Sequence, residues 1–165
     1  MNINRRSGFA LIEILIVVAI IAILASVVLV GLGPTQQAGR DARRLSDLHE
    51  VQNGLELYYN KSGAYPIPSS ASWGSASTAG TLSAELISAG VGITSIPNDP
   101  SSGKNYIYGW GPAATTYELA ATMESANGSE WVNYSAPTPL TSGGGVTDSA
   151  TLTCTQASLQ YCISL

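Results

Sequence analysis

Between Ile14 and Gly39 this 165-residue chain carries no acidic or basic side chain. Residues 14–32 form a nearly unbroken apolar run, Ile-Leu-Ile-Val-Val-Ala-Ile-Ile-Ala-Ile-Leu-Ala-Ser-Val-Val-Leu-Val-Gly-Leu. A segment this apolar all round has no polar face to turn to water, so lipid or a bundle of like helices has to cover it. At about 1.5 Å per residue, a helix from Phe9 to Leu32 reaches roughly 36 Å, slightly more than the roughly 30 Å hydrocarbon core of a bilayer. One tilted crossing fits. Glu13 stands at the start of the run, where a carboxylate is costly unless it lies near the interface, is neutralised or finds a partner. It is read as a functional residue.

A basic start before an apolar stretch is also the pattern of a secretory signal peptide. Arg5 and Arg6 supply the start, and Gly31-Leu32-Gly33 a small-x-small site. Against that reading, the apolar segment is longer than the usual signal core and Pro34 would follow the cut. A lipoprotein signal is excluded, because no cysteine precedes Cys154.

Beyond the run the helix is expected to continue. Gly31, Gly33 and Pro34 weaken it and mark a place for a kink, since proline removes a helix hydrogen bond and glycine costs backbone entropy. Leu45, Leu48, Val51 or Gln52, Leu55 and Tyr58 or Tyr59 then recur at three- and four-residue spacing, an amphipathic pattern reaching about Asn60. Arg40, Arg43 and Arg44 form the one basic cluster. Asp41 and Asp47 lie at helical neighbour spacing to Arg44 and Arg43, which predicts a solvated, partly self-paired helix face.

After Asn60 the composition changes. Twelve of the 17 glycines and seven of the eight prolines lie there, so turns and short elements are expected. Gly63 and Pro66 stop the long helix. Residues 82–89 read as a short helix capped by Thr81 or Ser83, with Gly90 behind it. Ile96-Pro-Asn-Asp-Pro100 is a turn cluster. Tyr106, Tyr108 and Trp110 alternate with Ile107 and Gly109, and Tyr117, Leu119, Ala121 and Met123 alternate with Glu118 and Thr122. Two strands joined by residues 111–115 make an antiparallel hairpin.

Composition excludes several classes of function. Charged residues are 11% of the chain and the formal net charge is -4. Removing Arg5 and Arg6 leaves five Lys+Arg against eleven Asp+Glu, or -6, which is not the balance of a nucleic-acid binder. His49, the sole histidine, falls on the polar side of the long helix. No phosphate loop, zinc spacing or Ser-His-acid set surrounds it, and no enzyme is expected. Glu118, Glu124 and Glu130 read as surface acids. Asn60, Asn127 and Asn133 each open an Asn-x-Ser triplet, as chance allows in a Ser-rich chain. Trp73, Trp110 and Trp131 could serve a binding surface, although core packing suits at least Trp110. No metal is expected at Cys154 and Cys162, because two sulfurs are insufficient for zinc and His49 is far away.

Arg-Arg-Ser-Gly-Phe-Ala-Leu-Ile-Glu followed by an apolar helix resembles the class III signal of type IV prepilins and type II secretion pseudopilins. Tyr58-Tyr59, then Gly63-x-Tyr65-Pro66, Pro97-Asn98-Asp99-Pro100, a Tyr-x-Tyr strand and a Tyr-x-Leu strand extend the resemblance to about residue 124, toward the major pseudopilin. The resemblance implies an α+β pilin fold, a long N-terminal helix packed on a small antiparallel sheet. It implies a leader at 1–8, a transmembrane and assembly helix at 9–33, its amphipathic continuation at 34–60 and an extracytoplasmic globular domain at 61–165. A prepilin peptidase would cut between Gly8 and Phe9 and methylate the new amine on Phe9. That amine is largely cationic near neutral pH and could pair with Glu13 of a neighbouring subunit, fixing the stagger between copies.

The partners so implied are further copies of the chain, the peptidase, inner-membrane assembly platform proteins and, before assembly, membrane lipid, with no nucleic acid for a shaft subunit. The chain would leave the bacterial cytoplasmic membrane for a periplasmic or extracellular filament. On that side of the membrane a Cys154–Cys162 disulfide is reasonable and would pin the C-terminus, with free thiols as the alternative. The acidic calcium loop that major pseudopilins often carry is not carried over, since Asp148 stands nearly alone there, and no cofactor is expected. Three readings remain: a filament subunit, a minor subunit acting in adhesion or DNA uptake, and a single-pass anchored domain that does not polymerise.

Overall fold

A computed structural model describes residues 11–69, 73, 80–137 and 154–165. Gly8, Phe9 and Asp148 lie outside the described residues. The chain divides into two compact units, Met1–Gln36 and Gln37–Leu165.

Helix α1 spans Leu11–Ser62, with Pro34 inside it. In the first unit its described side chains from Leu11 to Val28 are all exposed. In the second unit burial follows the helical period, with Asp41, Arg44, Asp47, Leu48, Val51 and Leu55 turned inward. The helix ends where the sequence predicts a stop: Gly63 has φ +75° and donates its N–H to Tyr59 O at 2.8 Å, a geometry that glycine adopts without strain. Helix α2, Leu82–Ser88, is capped by Thr81, whose side chain accepts from Ala84 N at 3.3 Å.

Strands β1 (Ile107–Trp110), β2 (Tyr117–Thr122) and β3 (Gln160–Ser164) form one antiparallel sheet in the order β1-β2-β3. The hairpin of β1 and β2 is the one read from alternation, with Tyr108 opposite Leu119 and Trp110 opposite Tyr117. β3 carries no comparable alternation. It pairs with β2 through Leu119 opposite Ile163 and Ala120 opposite Cys162, which makes β2 the central strand. The arrangement is the expected α+β one, a long N-terminal helix with a small antiparallel sheet.

The main core joins Leu48, Val51 and Leu55 of α1 to Leu82 and Leu86 of α2 and to Tyr108, Tyr117, Leu119 and Ala121 of the sheet. Aromatic edges fill its margins, with Tyr65 against Tyr117 at 4.7 Å and Trp73 against Tyr106 at 5.1 Å between ring centres. Trp73 and Trp131 are buried and Trp110 is half-buried against the same core. At Gly54 a Cβ would stand 2.0 Å from Ile93 Cδ1, so the missing side chain lets the loop after α2 close on α1.

The other face of β2 is covered too. Ala120, Cys154 and Cys162 form a second small core with Ile107 packed on it, and the two cysteines are joined in a disulfide. Every residue from Tyr117 to Ala121 is buried in consequence. Glu118 is therefore not a surface acid: it is fully buried on this second face. A strand that is central in its sheet and covered on both sides hides its odd and even positions alike.

Leu119→Ala, at a fully buried site, is expected to cost about 2–5 kcal/mol. Val132→Ala, at a residue 69% exposed, should stay within about 0.5 kcal/mol of wild type. Denaturant unfolding of the full chain in detergent micelles measures both.

Candidate functional site

Two features of this chain are too costly to be incidental. The first is the apolar part of α1. Fourteen large apolar side chains between Leu11 and Leu32 are exposed, from Leu11 at 81% to Leu32 at 45%. Burying one such chain gains about 1.5–3 kcal/mol, so leaving fourteen in water forgoes roughly 20–40 kcal/mol. That exceeds the roughly 5–15 kcal/mol by which a whole domain is stable. Water is not the medium of this segment. Its described polar side chains agree, since the Ser26 hydroxyl donates to Ile23 O at 2.7 Å, which satisfies it within its own helix. Glu13 sits exposed near the start of α1, with no ion-pair partner among the described residues. Its expected partner, the Phe9 amine, lies outside them.

The second feature is a buried ionic network in the globular unit. The periodicity places Arg44 on the inward face of α1, and its guanidinium is fully buried. Nη1 donates to Asp41 Oδ1 at 2.6 Å, one turn back on the same helix. Nε and Nη2 form a bidentate pair with Asp99 at 2.7 and 2.8 Å, and Nη2 also reaches Ser101 Oγ and Glu124 Oε1, both at 2.9 Å. Arg40 grips the same Glu124, with Nε at 2.8 Å from Oε1 and Nη2 on Oε2. Asp41 in turn accepts from the backbone N–H groups of Glu124 and Ser125. Each charge in this cluster is answered by donors or acceptors in good geometry, which is what burial requires. Nearby, Tyr106 OH donates to Asp47 Oδ2 at 2.6 Å, and Arg43 Nε stands 3.8 Å from the same oxygen.

The sequence reading paired Arg44 with Asp41 and Arg43 with Asp47, and the structure contains both pairs. It differs in the setting: Arg44 and Asp41 are buried, not solvated, because Asp99 and Glu124 close over them. Glu124, read as a surface acid, is a member of this network. Asp99 was visible only as part of a turn cluster. Nothing in the spacing of Arg44, Asp99 and Glu124 along the chain announces their meeting. His49 is exposed, with Nδ1 at 3.2 Å from Gln52 Oε1.

Electrostatics follow from these contacts. The hydrogen bonds from Arg40, then those from Arg44 and Ser101, overcome the penalty of burial and hold the Glu124 carboxyl well below the ordinary carboxylate range. Burial pushes Asp99 up, but the bonds from Arg44 and the Ser101 N–H outweigh it and hold Asp99 low as well. The bond to Asp99 is the largest cause that raises Arg44. At the far end of the core, burial and the Glu56 carboxylate push the Tyr65 phenol up to about 12.

For the two carboxyls the folded pKa lies below the unfolded one. Their stabilisation is complete above the ordinary carboxylate range, about pH 4, and is lost as pH falls through the lower folded values. Unfolding free energy should therefore hold steady from neutral pH to about pH 5 and decline below about pH 4, less steeply in Glu124→Gln than in wild type. Arg44→Met leaves Asp41 and Asp99 buried without their cation and should cost about 3–5 kcal/mol near neutral pH. Denaturant titrations at a series of pH values check both statements.

Comparison with known proteins bears on the apolar helix. Residues 3–29 match the prokaryotic N-terminal methylation motif. The chain is 33% identical over 63 residues to the type II secretion system core protein G of Aeromonas hydrophila, a stretch covering 38% of this chain and 44% of that protein. The proteins of the same description in Escherichia coli K12 and Vibrio cholerae are 32% and 30% identical over equal stretches, 38% of this chain and 43% of each relative. The chain thus matches less than half the length of these relatives. No solved structure matches it. The methylation motif, these relatives and the long helix with its small antiparallel sheet support a likeness to the type IV pilin and pseudopilin family.

Proposed function

We propose that the chain is a structural subunit that polymerises through its N-terminal apolar helix into a pilus-like filament, of the type II secretion pseudopilus or type IV pilus class. The observation that carries this is the helix itself. Fourteen exposed apolar side chains with no polar face suit lipid before assembly and the helices of other copies after it, with packing contacts replacing lipid contacts. The likeness to proteins described as core protein G supports the pseudopilus over the retractile pilus. A binding role for Trp73 and Trp131 has no such support, since both are buried.

On this reading the globular unit is extracytoplasmic. A prepilin peptidase cuts between Gly8 and Phe9 and methylates Phe9, and platform proteins of the inner membrane add subunits to the filament. The Phe9 amine of one copy meets Glu13 of its neighbour. Gly31, Gly33 and Pro34 give α1 a place to bend or loosen as it leaves the bilayer, and the Cys154–Cys162 bond persists in an oxidising compartment.

Two variants test the reading in cells that carry the rest of the machinery. Gly8→Val blocks processing and should leave the longer precursor in the membrane with no filaments by electron microscopy. Glu13→Gln should be processed and reach normal membrane levels, yet assemble few or no filaments, because removing one partner of a buried pair costs about 3–5 kcal/mol per contact. Filaments formed by Glu13→Gln as readily as by wild type would refute the pairing. Filaments formed without cleavage would refute the assembly reading as a whole.

A further inference from the structure

The second face of β2 holds three metal-ligating side chains. Glu118 Oε1 lies 2.6 Å from Cys154 Sγ. The carboxylate oxygen and the sulfurs of Cys154 and Cys162 all stand within 4.8 Å of one another, and the three residues are buried. As a disulfide the sulfurs are poor ligands, because the metal-binding form of cysteine is the thiolate. Two electrons and two protons from a dithiol reductant would open the bond, giving two thiols here and a disulfide in the reductant.

The geometry points to a redox-gated site for a thiophilic divalent cation, formed by the Cys154 and Cys162 thiolates and the Glu118 carboxylate when the disulfide is reduced. A zinc-like ion would displace the two thiol protons and bind two sulfurs at about 2.3 Å and an oxygen at about 2.0–2.2 Å. Ligand atoms around such a tetrahedral ion lie roughly 3.5 Å apart, so the sulfurs, bonded to each other here, have to move apart once reduced, while the structure already gathers all three ligand atoms within 4.8 Å. The fourth position is left to water or to Gln160 Oε1, which already accepts from Cys154 N at 3.4 Å.

Contacts other than the S–S bond also hold these residues near one another. Tyr134 OH donates to Cys154 O at 3.3 Å and accepts from Cys162 N at 3.1 Å, and the β2–β3 ladder sets Cys162 opposite Ala120. The donor set of two sulfurs and one carboxylate favours zinc-like ions over calcium or magnesium, which take oxygen ligands. This site does not use the assembly helix, but on the filament reading the bond persists in an oxidising compartment, so the site forms only where a dithiol reductant reaches the chain.

The test uses the full chain in detergent micelles, reduced with a phosphine, freed of reductant under anaerobic conditions and titrated with Co2+. Reduced wild type should bind one Co2+ per chain with the thiolate charge-transfer and visible bands of a tetrahedral complex, and Zn2+ should displace it. Oxidised wild type should show neither band. Cys154→Ser should lose the thiolate band, and Glu118→Gln should bind about tenfold more weakly or worse. Glu118→Asp covers the case in which Glu118→Gln fails to fold: its shorter carboxylate should weaken binding and shift the visible bands.

As a readout free of substitutions, Zn2+ should slow alkylation of both cysteines in reduced wild type. The inference is overturned if reduced wild type gives no thiolate band, if Zn2+ leaves alkylation unchanged, or if the oxidised chain binds Co2+ equally well. It is also overturned if a folded Glu118→Gln binds as tightly as wild type, or if Glu118→Asp, where Gln does not fold, binds with unchanged affinity and bands.

Discussion

A guanidinium sealed from water fixes the globular unit. Arg44 can be buried only if its donors are met, and the acceptors come from three separate parts of the chain: Asp41 on α1, Asp99 in the turn before β1 and Glu124 just after β2. A surface ion pair is worth little, but removing one member of a buried network strands the rest. The constraint spreads from there. Asp99 holds its turn in place, Pro97 O of that turn accepts from Trp73 Nε1 at 2.8 Å, and Trp73 O accepts from Ser83 N at the start of α2. A chain of polar contacts thus runs from α1 to α2 around the margin of the apolar core, and a shift at Arg44 would be felt at each link.

α1 itself is written in two hydrophobic languages. Up to Leu32 it is apolar all round. From Asp41 onward it buries one face, charged through Asp47 and apolar from Leu48, with polar Arg43, His49 and Glu50 on the other. The residues from Gln37 onward carry their own core, drawn from α1, α2 and the sheet. In the first unit the described side chains from Leu11 to Val28 are exposed. On the filament reading proposed above, this division would let the apolar segment exchange lipid for other helices while the globular unit keeps its own core. Pro34 falls next to the division, inside the continuous helix α1.

Local rules made most of the fold legible. The apolar run, the amphipathic continuation, the stop at Gly63, the cap at Thr81 and the β1–β2 hairpin all follow from spacing within a few residues. What stayed hidden depends on contacts between distant positions. The acceptors for Arg44 lie 55 and 80 residues further along the chain. A helix-neighbour rule finds Asp41, and no local rule finds Asp99 or Glu124. β3 escaped for a related reason. Tyr161, Cys162 and Ile163 do not alternate in polarity, because β3 borders two environments, the disulfide core and the aromatic edge formed by Trp131, Tyr134 and Tyr161. The N-terminal methylation motif was legible in the opposite way, because its residues declare themselves through their order along the chain.

The central position of β2 has a further consequence. A three-stranded sheet covered by helices on one face leaves the other to solvent unless some segment returns across it, and here that segment is the disulfide-closed C-terminus. It is held by the β2–β3 ladder and by Tyr134, and the crosslink adds to this by removing unfolded-state entropy, about 2–3 kcal/mol for a loop of this size. Packing alone would favour an apolar side chain at position 118 beneath that cover, since a buried polar group generally destabilises relative to a well-packed hydrophobe. A carboxylate stands there instead, buried beside the sulfurs of Cys154 and Cys162.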